Sequence, residues 1–310
     1  MIKITDLCKS FDTKDVLRYL NLTIEDGQIF GLVGINGAGK STLLRLISGI
    51  YKADYGKIIV DGEDVYENET IKSKFFFLPD EPYYSINTTP LTLIDIYKVF
   101  YDFETEEYVN YLKNFKIPLN KQINNFSKGM KRQVFVSLAL AIKPKYLLLD
   151  EAFDGLDPLA RLSFKRAIID LVTDNQTTVI ISSHSLRELE DICDSYGLLD
   201  NKIISSSGNI QDKISRYHKY QIAFKDTASK DYLDFETFSY SAEGRIMKFV
   251  CTLSLEELEE KINKYNPLLI DEISIDFEEM FIIEVESRGY LSWKNYYFTI
   301  LKNVGILLEL

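Results

Sequence analysis

Residues 34–42 read GINGAGKST. The stretch fits G-x-x-x-x-G-K-[ST], a loop that wraps an anion. Glycines let backbone N–H groups turn inward with no Cβ in the way. A helix that starts at the loop points its positive end at the same anion. Lys40 adds a full charge suited to the β- and γ-phosphates of a nucleotide, and the Ser41 hydroxyl can ligate Mg²⁺. The flanks agree. Residues 28–33, QIFGLV, read as a short buried strand, and residues 42–48, TLLRLIS, as a helix stopped by Gly49.

Outward from this loop, apolar strand-like segments alternate with helical ones. They fall at 29–33, 57–60, 75–78, 146–149, 178–182 and 203–205. That alternation predicts an α/β layer with a largely parallel sheet. Residues 88–143 read as mainly helical, with Leu93, Ile96, Tyr97, Phe100 and Tyr101, then Tyr108, Leu112 and Phe115, at helical spacing as core positions.

A length of 310 residues favours two domains, and 46% hydrophobic with 27% charged residues describes a globular chain. No apolar run reaches the roughly 18 residues of a membrane span, and the N-terminus lacks a signal peptide's apolar core. Cys8, Cys193 and Cys251 are few and widely spaced, as in a cytosolic protein with reduced thiols. The net charge of −11 argues against a nucleic-acid partner. Acidic side chains outnumber basic ones 17 to 9 over residues 221–310, and a Ser-Ser-Ser-Gly run stands at 205–208. Together they place a domain boundary near 208–220.

A phosphate loop needs a second acidic element, and residues 146–151, YLLLDE, supply one. Asp150 ends a buried strand at the edge where open α/β sheets bind ligands. One carboxylate can hold a metal while its neighbour, Glu151, activates water. Residues 180–184, IISSH, end another strand at His184, placed to touch a γ-phosphate. Residues 125–133, NFSKGMKRQ, open an apolar helix with Ser127 and Gly129, a second anion-binding N-terminus. A second phosphate clamp in a chain that already has one suits a dimer in which each chain completes the other's site.

With these motifs in order, residues 1–215 closely resemble the nucleotide-binding subunit of a bacterial ATP-binding cassette (ABC) transporter, of the exporter type whose membrane part is a separate chain. GINGAGKST is similar to the family's Walker A loop, FSKGM (126–130) to its signature loop, YLLLDE to its Walker B strand and DGLD (154–157) to its D-loop. The resemblance implies a P-loop NTPase cassette, a mixed sheet with a helical subdomain at about 88–143; beyond it, the residue pattern suggests a small α+β accessory domain at 216–310. It implies Mg²⁺-dependent ATP hydrolysis in a head-to-tail dimer, homodimeric or heterodimeric. It also implies docking on a transmembrane permease at the inner face of the cell membrane. By position, Asn36, Gly37, Ala38, Gly39, Lys40, Ser41 and Thr42 bind the phosphates and Mg²⁺. Asp150 holds the metal through water, Glu151 polarises the attacking water and His184 is the switch histidine. Ser127 and Gly129 reach the partner's γ-phosphate, Asp157 signals across the dimer and Phe11 stacks on adenine.

The chain departs from the family at Lys128, where glycine is usual, and at Met130, where glutamine is usual. In FLPDEPYY (77–84), Asp80 stands where a metal-touching glutamine is expected, and it is taken as a metal ligand. The last 90 residues carry no catalytic motif. They read as strands at 220–224, 245–253 and 268–275, a capping-box helix from Ser254 to about Tyr265 and a last helix at 277–286. An aromatic tail, Tyr290, Trp293, Tyr296, Tyr297 and Phe298, suits a core or dimer contact. The rival reading is a regulatory, immunity, DNA-repair or translation ATPase of the same fold. The absence of long heptad repeats and of a second phosphate loop weighs against the last two.

Overall fold

A hairpin opens the chain: β1 (Ile2–Phe11) turns through Asp12 and Thr13 into β2 (Lys14–Ile24). The computed structural model describes residues 1–287. It divides into two compact units, residues 1–208 and the segment from Asn209 onward, so the division falls seven residues before position 215.

In the first unit the hairpin leads to β3 (Ile29–Val33), α1 (Lys40–Ile47), β4 (Tyr55–Val60), β5 (Glu63–Asp64), α2 (Glu69–Lys72) and β6 (Phe75–Leu78). The helical segment follows as α3 (Pro90–Tyr97), α4 (Thr105–Asn114) and α5 (Lys128–Ile142). The chain then re-enters the sheet as β7 (Tyr146–Asp150), crosses by α6 (Pro158–Asn175) to β8 (Thr178–Ser183), and passes α7 (Leu186–Glu190) to β9 (Ser195–Asp200) and β10 (Ile203–Asn209).

Two sheets result. One has the order β10-β9-β3-β8-β7-β6, and its members from β9 to β6 pair in parallel. Every residue of β3, β7 and β8 is buried, as expected of strands covered on both faces. The other sheet, β2-β1-β4-β5, is antiparallel and takes the strand read at 57–60; with the parallel layer it makes the expected mixed core. Its hairpin was missed because Asp12, at φ +51°, makes the turn without the Asn-Gly or Asp-Gly pair that announces one. Leu43, Leu44, Leu46 and Ile47 of α1 share one apolar cluster with Ile2, Ile4 and Leu7 of the hairpin and with Phe30, Leu32 and Leu148 of the parallel sheet. The helix after the phosphate loop is therefore fixed by both sheets. Leu93, Tyr108 and Leu112 are buried as expected, but Ile96 is 47% and Phe100 70% exposed. Helical spacing marks an apolar stripe without saying what covers it.

The second unit comprises α8 (Ile210–Ile214), β11 (His218–Ala223), β12 (Ser239–Glu243), β13 (Ile246–Cys251), α9 (Leu255–Ile262), β14 (Leu269–Ile273) and α10 (Phe277–Ser287). Its antiparallel sheet runs β12-β13-β11-β14. Tyr220 and Ile222 of β11 and Met247, Phe249 and Cys251 of β13 share a core with Leu258 and Ile262 of α9. Ser254 caps α9 reciprocally with Glu257. Strand β12, SYSAE, is mostly exposed and too polar to read from sequence. The aromatic tail at 290–298 lies outside the described residues.

Candidate active site

Parallel pairing brings the site together. Val33 lies opposite Ser183, and Asp150 opposite Ser182, so three loops leave the sheet at the same edge. The first is the glycine-rich loop. Gly37 at φ +81° and Gly39 at φ +111° take backbone shapes that favour glycine, and Gly39 caps α1. The N–H of Ala38 is used inside the loop, donating to Ile35 O at 3.1 Å. Lys40 is only 5% exposed; its Nζ donates to Gly34 O at 2.7 Å and Ile35 O at 3.4 Å and pairs with Glu151 Oε1 at 3.1 Å.

The second loop follows β7. Asp150 is almost fully buried and accepts a 2.7 Å hydrogen bond from Ser182 Oγ, while the N–H of Glu151 donates to the same hydroxyl at 3.1 Å. Glu151 has φ +48°, rare for a residue with a side chain. This turn carries its carboxylate to Lys40 and, through Oε2, to within 2.9 Å of His184 Nδ1 on the third loop.

The cleft between these loops holds about 470 Å³. Asn36, Gly37, Gly39, Lys40, Ser41, Thr42, Asp80, Glu151 and His184 line it, with Val16 and Asp154. Asp154 was missed as a site residue. Its carboxylate and the ligand atoms of Glu151 and His184 lie within 4.8 Å of one another. The readable signal was its place three residues after Glu151, whose carbonyl accepts the Asp154 N–H at 3.1 Å.

Not every expected residue lines the cleft. Asp80 lines the cleft, and its Oδ1 accepts from Arg132 Nη2 at 2.8 Å. Phe11 is not among the residues lining the cleft; it sits edge-on to Tyr51 at 5.5 Å with Lys9 over its ring. Ser127 and Gly129 also lie off this cleft. Ser127 caps α5 by accepting from the Met130 N–H at 3.2 Å. Gly129 abuts the 154–157 turn so closely that a Cβ there would sit 2.5 Å from Gly155 O. Asp157 caps α6, accepting from the N–H groups of Leu159 and Ala160.

Residues 17–154 match the ABC transporter family. The chain is 32% identical over 284 residues to the ABC transporter ATP-binding protein YtrB of Bacillus subtilis (strain 168), covering 91% of this chain and 97% of that protein. It is 28% identical over 260 residues to the bacitracin transport ATP-binding protein BcrA of Bacillus licheniformis, covering 79% of this chain and 84% of that one. A solved ATP-binding subunit of an ABC transporter superposes with a TM-score of 0.63 at 27% identity, over 69% of this chain and 91% of its own. The glycine-rich loop facing Glu151 and His184 is thus set in a cassette fold of known kind, and the chain belongs to the ABC transporter family as an ATP-binding subunit and an ATPase.

Proposed function

We propose that the chain powers export through a separate membrane-spanning permease, hydrolysing Mg²⁺-ATP in a head-to-tail pair of cassettes. The observation that carries the catalytic part is the position of Glu151, 3.1 Å from Lys40 and 2.9 Å from His184 across the phosphate loop. A general base must stand within hydrogen-bond reach of the water it activates and be oriented by a neighbour. The lining position of Glu151 in the cleft and its 2.9 Å contact with His184 support that role, with His184 as the orienting group. Lys40 neutralises Glu151 here; with triphosphate bound it turns to the β- and γ-phosphates and leaves the carboxylate free to draw a proton from water. The backbone amides of Gly37 and Gly39, beside the start of α1, hold the phosphates.

Mg²⁺ takes oxygen ligands, and the cleft offers the Ser41 hydroxyl and the Asp80 and Asp154 carboxylates, with Asp150 behind them. That donor set fits the ion, which when bound offsets charge developing on the transferred phosphoryl group. Ser127 and Gly129, lying off their own chain's cleft, support a role in a partner's site.

Among the described residues no helix is long and apolar enough to cross a membrane. A hollow of about 860 Å³, bordered by Tyr83, Tyr84, Ile96, Val99 and Phe100, supports the docking of a short apolar segment of the permease. Tyr83 is 93% and Val99 76% exposed, which is costly for a surface that nothing covers. Co-purification from membranes identifies that partner, and vesicles holding the pair decide the direction of transport. Lys40→Ala should abolish both hydrolysis and transport. ATP hydrolysis with no membrane subunit bound under any condition would sink the transport half of the proposal and leave the ATPase half standing.

A further inference from the structure

We propose that Arg132 is a positioning residue for hydrolysis: it holds the Glu151 peptide in its unusual conformation, and Asp80 serves as its counter-ion. The inference rests on the reading of Glu151 as general base.

Arg132 lies in the second turn of α5 and is only 2% exposed. A buried guanidinium must find acceptors for its fork of donors and a charge to balance its own. It finds them on two other segments. Nη1 donates to Pro79 O at 3.0 Å, and Nη2 donates to Asp80 Oδ1 at 2.8 Å and to Glu151 O at 3.2 Å. One side chain therefore ties together α5, the loop after β6 and the residue after β7.

The contact with Glu151 is the consequential one. A residue with a side chain keeps φ near +48° only when its surroundings over-determine it. The peptides on both sides of Glu151 are held. Its N–H is taken by Ser182 Oγ, and its carbonyl receives both the Arg132 guanidinium and the Asp154 N–H. Relaxing φ to negative values would swing the Cα–Cβ bond and lift the carboxylate away from Lys40 and His184. Asp80 fits the same scheme. Its Oδ1 meets Arg132 Nη2 at 2.8 Å and so sets a negative charge against the buried guanidinium. Lys128 reaches Asp80 only at 3.7 Å and is itself 60% exposed, so it is the weaker partner beside the buried Arg132 at 2.8 Å.

The test is steady-state ATP hydrolysis by the full chain, in wild type, Arg132→Gln, Glu151→Gln and the double variant, with nucleotide affinity and thermal unfolding measured alongside. If Arg132 acts through Glu151, Arg132→Gln lowers kcat by ~10²-fold with KM and ATP affinity little changed, the scale expected when a catalytic group is misplaced by about 1 Å. In the Glu151→Gln background the same substitution then costs nothing further, because effects of residues acting as a unit do not add. Undiminished kcat in folded Arg132→Gln overturns the proposal, and so does the same fold-loss in both backgrounds. Should Arg132→Gln not fold, Arg132→Lys keeps the charge opposite Asp80 while giving up the fork. It should show the same split, kcat lowered and KM kept, and wild-type kcat would overturn the proposal. A wild-type chain with no Lys40-dependent hydrolysis would instead bring down the underlying reading, and this inference with it.

Discussion

The strand β7 is five residues long and has a cluster of charge at each end. At the start, the Tyr146 hydroxyl lies 2.6 Å from Asp61 and 3.0 Å from Asp26, and Asp61 also receives Lys74 and Lys145 at 2.8 Å. The Met1 amine pairs with Asp26 and donates to the same hydroxyl at 3.0 Å. At the far end stand Asp150 and Glu151, with Lys40, His184, Asp80 and Arg132 nearby. Similar chemical groups serve different ends. At the start, acids and cations are matched in place, and that arrangement stabilises the fold. At the far end, Lys40 and Asp80 border a cleft, and Glu151 sits in an unfavourable backbone conformation. One end holds the strand, and the other turns its charges toward a cleft.

The sharpest way to break this contrast is Glu151→Gln. The substitution keeps shape and one hydrogen bond but removes the base, so phosphate release should fall ~10²–10⁴-fold. Thermal unfolding should fall only modestly: the variant takes the carboxylate from Lys40 at 3.1 Å, but Lys40 keeps the Gly34 carbonyl at 2.7 Å and meets an amide oxygen in the carboxylate's place. A large fall in melting temperature would show that the far end is structural too. Wild-type phosphate release would remove Glu151 from the mechanism.

Asp61→Asn should do the reverse. Burial pushes the Asp61 carboxyl up, but hydrogen bonds from Lys145, Lys74 and Tyr146 outweigh burial and hold it well below its ordinary value of 3.8. A carboxyl with a depressed folded pKa contributes stability above its unfolded pKa, and that stability is lost as pH falls through the folded one. The variant should therefore be less stable than wild type by roughly 1.5–3 kcal/mol at pH 7, the range for hydrogen bonds to charged groups. The gap should close only below 3.8. Denaturant titrations at several pH values measure it. A gap independent of pH would mean that the charge of Asp61 contributes nothing, and a fall in kcat would tie the two ends together.

The far end was largely legible in the sequence and the near end was not, for a physical reason. An anion cradle needs consecutive amides, so the run Gly37, Ala38, Gly39, Lys40 and Ser41 must be contiguous; the acidic pair must follow a buried strand directly. Such constraints are local and leave a pattern. Asp26, Asp61 and Tyr146 meet only because β7 lies where the folded sheet puts it; nothing near any of them names the others. Arg132 was hidden in the same way. It read as one of several basic residues after Ser127, and its burial depends on carbonyls of Pro79 and Glu151, supplied by other segments. Ile96 and Phe100 were misjudged as core because an exposed apolar stripe and a core stripe share one period. In the second unit, strands and helices with alternating or capped patterns were readable, whereas the polar edge strand β12 was not.

The smallest change is the finest probe of the near end. Tyr146→Phe removes one oxygen and keeps the ring, which stacks on Phe75 with centroids 4.9 Å apart. Packing and strand pairing should survive, and Asp61 keeps both lysines. What goes is a hydroxyl that burial and the neighbouring Asp61 and Asp26 hold strongly protonated, and with it a donor to those carboxylates. The expected loss is about 1 kcal/mol, the usual net worth of one hydrogen bond. Losing a donor also moves the Asp61 carboxyl back up toward its ordinary value, so acid unfolding should begin at a higher pH than in wild type. The kcat for ATP should stay at the wild-type value, since Leu147, Leu148 and Leu149 between the two ends are fully buried and their packing is untouched. A drop in kcat comparable to that of an active-site variant would mean that five residues of buried strand transmit strain from one charge cluster to the other, and the division of labour along β7 would have to be abandoned.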